Sequence, residues 1–240
     1  MRYLITVSYD GSKFFGFQKL NDNNTIQGEL EKALTKINKK QVYVKGSGRT
    51  DRGVHALNQK CHFDLNINIS PERLKNAINS LLNDYIYVKD CMVVDDNFHS
   101  RFCVKQKTYK YIINLGEYDV IKNDYVYNYC YSLNVKNMIS ASKYLIGKHN
   151  FHLFVSGERD SYDSEIYDVQ FEEVNNYLTI RFVGKSFYRY MVRNLVGALM
   201  LVGKDKITVD DFKKMIDSDD NVYTYITVPA NGLYLENVKY

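Results

Sequence analysis

The chain lacks most of the groups that anchor metal, redox and hydrolase chemistry. Its four cysteines, Cys61, Cys91, Cys103 and Cys130, are widely spaced and form no CxxC pair, which argues against a zinc ribbon and a thioredoxin-like site; they read as reduced, partly buried thiols. There is no H-x-E and no P-C-x-x-C for zinc-dependent base deamination, and no serine lies in a G-x-S-x-G elbow. Gly46, Gly48 and Gly53 only loosely follow a nucleotide fingerprint, because Asp51 stands where GxGxxG needs glycine and no P-loop lysine follows. His149 and His152 are three positions apart, but no carboxylate or third histidine joins them at ligand spacing, so capping or core roles are expected and no metal. No apolar run approaches the roughly 18 residues of a membrane span. Met1 leads directly into an alternating pattern of Tyr3, Ile5, Val7 and Tyr9, without room for a signal peptide, and a soluble, cytoplasmic protein is expected. With only 2 prolines and many Asn and Lys, the composition is one that nucleotide bias in the genome would produce as well as function.

What is present suffices for a globular protein. At 240 residues, with 45% apolar and 25% charged side chains, the chain can bury one large core or two small ones without a disulfide or metal staple. The formal charge of +4 is modest and matters through its placement. Arg101, Lys105, Lys107 and Lys110 fall in ten positions without an acid, and Lys185, Arg189 and Arg193 are interleaved with Phe187, Tyr188 and Tyr190. Cations for phosphates and rings for unstacked bases are what a nucleic-acid groove needs, although either cluster alone also suits a solvated face.

The element pattern is α+β. A strand over 2–9 ends at Asp10-Gly11; Asn24 and Gln27 are spaced as a capping box for a helix bearing Ile26, Leu30, Ala33, Leu34 and Ile37. Strands follow over 41–45 and 54–65, then a helix after Ser70-Pro71 with Leu74, Ala77, Ile78 and Leu81 inward, and a strand over 86–94. That order, βαββαβ, is the ferredoxin-like unit. It recurs as a strand over 107–114 with Tyr109, Tyr111 and Ile113 on one face, a helix over 135–145 with Val135, Met138, Ile139 and Leu145 inward, a hairpin turning at Asn175-Asn176, a helix over 187–202, a helix capped by Thr208 and Asp211, and a strand over 233–238. Two tandem ferredoxin-like halves, residues 1–97 and 98–240, are therefore expected, with mostly antiparallel sheets that join and a basic cleft between them.

Between the second and third strands stand Gly48, Arg49, Thr50, Asp51, Arg52, Gly53, Val54, His55 and Ala56. A carboxylate, two guanidiniums, a hydroxyl and an imidazole in nine positions admit two readings. One is a polar loop in which Asp51 pairs with Arg49 or Arg52. The other is a site: a carboxylate without a partner acid, a metal or an activating histidine can act as a covalent nucleophile, and a cation within a few Å would lower its pKa by roughly 1 to 3 units. His55, His62 and His99 read as structural or base-facing.

The motif is similar to the signature of the TruA family of tRNA pseudouridine synthases, and the resemblance spans the chain. It continues through Tyr9, Gly11, Phe14, Gly16, Gln18, Thr25, Ile26 and Gln27; through Phe98, His99, Ser100, Arg101 and Phe102 with Lys107, Thr108, Tyr109, Lys110 and Tyr111; through Gly147, His149 and Phe151; through Gly184, Phe187, Met191, Val192, Arg193 and Gly197; and through Pro229 and Gly232 to Leu235. Phe17, Asn83 and Ser164 stand where the family has Trp, Pro and Arg. The resemblance implies isomerisation of uridine to pseudouridine in the anticodon arm of tRNA, at positions 38, 39 and 40, by a homodimer without cofactor, metal or ATP. It implies Asp51 as nucleophile at C1′ or C6, Tyr109 as the stacking tyrosine, and Arg49 as the residue that fills the gap left by the flipped uridine. It also implies Arg101, Lys107, Arg193 and His55 as substrate contacts.

Overall fold

The computed structural model describes residues 1–20, 24–217 and 224–240. In chain order the elements are β1 (Arg2–Tyr9), α1 (Ile26–Asn38), β2 (Lys45–Gly46), β3 (His55–Asp64), α2 (Pro71–Asn79), β4 (Ile86–Val94), β5 (Gln106–Asn114), β6 (Tyr127–Asn128), α3 (Val135–Ser142), β7 (Gly147–Asn150), β8 (Asp163–Val174), β9 (Tyr177–Gly184), α4 (Met191–Gly203), α5 (Val209–Asp217) and β10 (Leu233–Lys239). The fold is α+β and packs as two compact units, residues 1–105 with 234–240, and residues 106–233. Compared with a division at 97/98, the segment 98–105 stays with the first unit and the chain end returns to it. The reason is backbone pairing: Tyr234 and Leu235 run parallel to His55 and Ala56 of β3, and the Lys105 N–H donates to the Lys239 carbonyl at 2.9 Å.

In the first unit β1 lies between β4 and β3, with β2 on the far side of β3, all antiparallel. The alternation of β1 sends Tyr3, Ile5, Val7 and Tyr9 inward, where they share a core with Ile26, Leu30 and Leu34 of α1 and Leu74 and Ile78 of α2. In the second unit β5, β9, β8 and β7 form an antiparallel series, and β6 runs parallel to β5. Tyr109, Tyr111 and Ile113 are buried on one face of β5. The β8–β9 hairpin turns at Asn175 and Asn176, both with positive φ (49° and 65°), the conformation that a two-residue hairpin turn favours.

Several local expectations are corrected. The N-cap of α1 is Thr25, whose hydroxyl accepts from the Gly28 N–H; Gln27 reaches instead to the Val44 carbonyl and Glu31. Residues 41–44 are not strand, because α1 takes their backbone donors: the Val42 N–H goes to the Thr35 hydroxyl at 3.1 Å and the Val44 N–H to the buried Glu31 carboxylate at 3.0 Å. Leu81 lies beyond the end of α2 and is exposed, as is Ile139 on the outer side of α3. The run 135–145 ends as a 3-10 turn over Lys143–Leu145. Residues 187–190 precede α4, since Tyr190 takes a left-handed conformation (φ 64°) that helical geometry excludes. The capping box of α5 forms as read, with Thr208 and Asp211 exchanging bonds at 3.1 Å.

The last connection of the second unit crosses α4 closely. The Thr227 hydroxyl donates to Asn194 Oδ1 at 2.6 Å, Arg193 Nε donates to the Val228 carbonyl at 2.7 Å, and a Cβ on Gly197 would stand 1.9 Å from the Ile226 carbonyl oxygen. Helix propensity alone favours alanine over glycine by about 1 kcal/mol. Gly197→Ala should nevertheless destabilise the protein by about 2 kcal/mol through overpacking, measurable as a lower urea midpoint at unchanged slope.

Candidate active site

The loop between β2 and β3 is held from both flanks. Tyr9, the last inward residue of β1, places its hydroxyl 2.8 Å from Thr50 Oγ1 in a buried contact. The Phe17 N–H donates to the Thr50 carbonyl at 3.0 Å, and the Val54 N–H to the Asp51 carbonyl at 3.1 Å. The latter bond closes a turn whose third residue, Gly53, has φ 81°, as a type II turn requires. On the other flank the Ser47 hydroxyl donates to Gln59 Oε1 at 2.6 Å, and Gln59 Nε2 donates to the Gly48 carbonyl at 2.9 Å. Thr50 is buried, Asp51 half-buried, and Arg49 and Arg52 exposed. The Arg52 guanidinium lies 4.5 Å from the centre of the Phe15 ring, a cation–π contact.

His55 begins β3 and faces inward, 2% exposed. The Gly11 N–H donates to its Nδ1 at 3.1 Å, Asp10 Oδ1 lies 3.3 Å from the same nitrogen, and the ring stacks on Tyr234 at 4.6 Å. Close approach leaves no room for a side chain at Gly11, where a Cβ would fall 2.0 Å from the Val54 carbonyl oxygen. The imidazole therefore joins the turn after β1 to the start of β3.

The remaining residues singled out in the sequence divide between the units. Arg101 is exposed in the turn over 98–103 of the first unit. Tyr109 and Lys107 are buried on β5 of the second, with the Tyr109 ring edge-on to Phe187 at 5.2 Å. Arg193, in the first turn of α4, has its guanidinium 4.9 Å from the Tyr190 ring, which Arg189 approaches to the same distance. Ser164, in the place of the family's arginine, donates its hydroxyl to the Ser186 carbonyl at 2.6 Å. Among the described residues no group of three or more His, Cys, Asp and Glu is placed to hold a metal ion, and no helix is long and apolar enough to cross a membrane. Burial pushes the Cys91 thiol up to about 12 and Cys61 higher, so both remain protonated.

One further polar group in the first unit proves structural. His62 Nδ1 accepts from the Ser100 N–H at 3.1 Å and lies 2.8 Å from the Ser100 hydroxyl, itself 2.7 Å from the Lys45 carbonyl. Desolvation, aided by His99 and Arg2, lowers the His62 pKa to about 4.

A model of the tRNA pseudouridine synthase family matches residues 5–103 and 141–240. The chain belongs to this family. It is 41% identical over 245 positions to tRNA pseudouridine synthase A of Bacillus subtilis (strain 168), covering 100% of this chain and 99% of that one. The enzyme of the same name from Thermosipho melanesiensis is 40% identical with the same coverage, and that of Limosilactobacillus reuteri is 37% identical over 100% of this chain and 96% of its own. Among solved structures, an H/ACA ribonucleoprotein bound to a substrate RNA containing 2′-deoxyuridine is distantly similar, with a TM-score of 0.38 and 12% identity over 82% of this chain and 43% of that chain. The chain is thus an isomerase that converts uridine to pseudouridine in tRNA. The family model covers the Asp51 loop, Arg101 and Arg193, but not β5 with Lys107 and Tyr109.

Of the supports of the loop, Tyr9 belongs to the blocks of family resemblance, whereas Ser47 and Gln59 carry no signal as a motif. Gln59 does stand out by burial, as a polar side chain at 0% exposure in the middle of a strand, where an amide persists only if its bonds are satisfied. Tyr9→Phe leaves the Thr50 hydroxyl without this buried partner, and should cost about 1 to 2 kcal/mol in stability and reduce the rate of pseudouridine formation more than it raises KM. The His62 shift has a defined sign. A histidine whose folded pKa is about 4, against about 6.5 when unfolded, contributes fully above pH 6.5 and progressively less down to pH 4. The unfolding free energy should fall across that window, and His62→Gln should flatten the fall relative to wild type in urea titrations.

Proposed function

We propose that the isomerisation acts on the anticodon stem-loop of tRNA, at positions 38, 39 and 40, through a covalent bond to Asp51. The positions follow from the family resemblance; the observation that supports the covalent step is the mounting of Asp51, a half-buried carboxylate on a loop whose backbone is bonded on both sides of it, to Phe17 and within the Gly53 turn. A nucleophile held in one conformation loses little entropy on reaching the transition state. The target uridine leaves the stack, at a cost of a few kcal/mol. An Asp51 oxygen bonds to C1′ as the C1′–N1 bond breaks; in the alternative it adds to C6 across the C5=C6 bond, the C1′–N1 bond then breaks, and the carboxylate leaves C6 once C5 has bonded to C1′. The freed base rotates, C5 bonds to C1′ as the carboxylate departs, and the proton on C5 is lost as N1 gains one. The product is an isomer of the substrate, so neither electrons nor a phosphoryl group need be supplied, and the reading requires no cofactor, metal or ATP.

In this reading Arg49, exposed two residues before Asp51, occupies the gap left by the flipped uridine, and Tyr109 stacks on the target base. Arg101 and Arg193 contact phosphates. Lys107 and His55, 8% and 2% exposed, act from behind the surface, Lys107 by charge and His55 by holding the Gly11 turn. We further read the two units as ferredoxin-like halves sharing a basic cleft, a reading supported in the first by its strand order β4-β1-β3-β2, and the working form as a cytoplasmic homodimer.

Asp51→Asn keeps the size of the side chain, replaces one acceptor oxygen by an NH2 donor and removes its charge. It should abolish pseudouridine formation in unmodified tRNA while leaving tRNA affinity within a few-fold of wild type, read by mapping pseudouridine at single-nucleotide resolution and by filter binding. Wild-type rates in this variant, or product only at sites outside the anticodon arm, would overturn the assignment.

A further inference from the structure

The segment 98–103 is an irregular stretch of the first unit anchored from several strands, and it carries an exposed ring. Arg2 of β1 donates to the Phe98 carbonyl at 2.9 Å and also to that of Asp96. The Ser100 hydroxyl meets the Lys45 carbonyl of β2, and His62 of β3 takes the Ser100 N–H. After β10, the Tyr240 hydroxyl donates to the Ser100 carbonyl at 2.9 Å, and its ring packs on Phe98 at 4.9 Å. Within the turn, His99 Nδ1 accepts from the N–H groups of Arg101 (3.1 Å) and Phe102 (3.4 Å), and the Cys103 N–H returns to the His99 carbonyl at 3.0 Å. Groups from four strands or their ends thus fix a turn that buries little of itself.

At its tip Phe102 is 78% exposed. One face of its ring stacks on His99, with centroids 4.3 Å apart and planes 27° apart, and the rest of the ring faces solvent. Arg101 is adjacent, and desolvation, with Arg2, Lys45 and Arg101 nearby, lowers the His99 pKa. Arg2 is paired with Asp64 at 2.9 Å, whereas Lys45 and Arg101 have no carboxylate partner among the described residues. An aromatic ring fixed from behind, bare in front and flanked by unpaired cations has the chemistry that receives a nucleobase on the ring and its phosphate on the cations. The charge disfavours an apolar protein partner, which would have to desolvate both cations.

We propose that Phe102, backed by His99, is a base-stacking residue for tRNA, with Lys45 and Arg101 taking the adjoining phosphates. The inference rests on tRNA as substrate, and not on the role of Asp51. Because the ring is exposed and its backbone anchored elsewhere, substitutions at 102 should leave the melting temperature unchanged. The chain has no tryptophan, so Phe102→Trp supplies a single indole that can be excited apart from the 22 tyrosines. Its emission should be quenched on titration with unmodified tRNA, equally in an Asp51→Asn background where no turnover occurs, so loss of the catalytic assignment and loss of this one are read separately. Phe102→Ala should raise the KM for tRNA about ten-fold with kcat at saturating tRNA unchanged, and Phe102→Tyr should restore it. Emission and KM that do not respond overturn the proposal. So does a Phe102→Trp emission already blue-shifted without RNA and dependent on protein concentration, together with a smaller sedimenting species for Phe102→Ala, which would mean that a second copy of the chain covers the ring.

Discussion

The first unit depends on the close approach between the turn after β1 and the start of β3. Tyr9 pairs with Ala56 across the two strands, with an irregularity in the register just before it, and its hydroxyl enters the core beside Thr50. Gly11 comes so near Val54 that only hydrogen fits between them, and His55 closes the junction by accepting from the Gly11 N–H. A buried hydroxyl or imidazole that loses its partner keeps the full desolvation cost, so these contacts form together or not at all. The position of the Asp51 loop is therefore a consequence of β1–β3 registry, established before any substrate arrives.

The same device recurs wherever an irregular segment must be held. A buried polar side chain on a helix or strand catches backbone groups of a segment that has no ladder of its own. Glu31 of α1 takes the Val44 N–H; Gln59 of β3 holds the Gly48 carbonyl; His62 of β3 holds Ser100; and Asn194 of α4 binds both the Phe154 carbonyl and the Thr227 hydroxyl. Each satisfies donors or acceptors that would otherwise be orphaned, and the first three hold segments that carry or adjoin an exposed cation: Lys45, Arg49 and Arg101. The supporting polar groups thus lie inside while Arg49 and Arg101 stay exposed.

Much of this was legible without coordinates where the physics is local. Strand alternation in β1 and β5, the Asn-Asn hairpin and the Thr208–Asp211 capping box each depend on neighbours within a few positions, and they stand where the pattern puts them. The readings that needed correction turn on partners far along the chain. Residues 41–44 have strand-like composition, yet their donors go to α1. Residues 187–190 have helical spacing, yet a left-handed tyrosine ends that pattern. His55 looked like a group that could meet a base, yet it is enclosed by Gly11, Asp10 and Tyr234.

By itself the sequence determined the α+β class, the concentration of chemistry at 48–56 and, through blocks of residue identity along the whole chain, membership of the tRNA pseudouridine synthases, because periodicity and identity are properties of the chain in order. Only the tertiary structure decided which polar residues are supports and which are presented. Burial separates Gln59, His55 and His62 from Arg49, Arg101 and Phe102, and burial is set by registry between segments tens of residues apart, which no local pattern encodes.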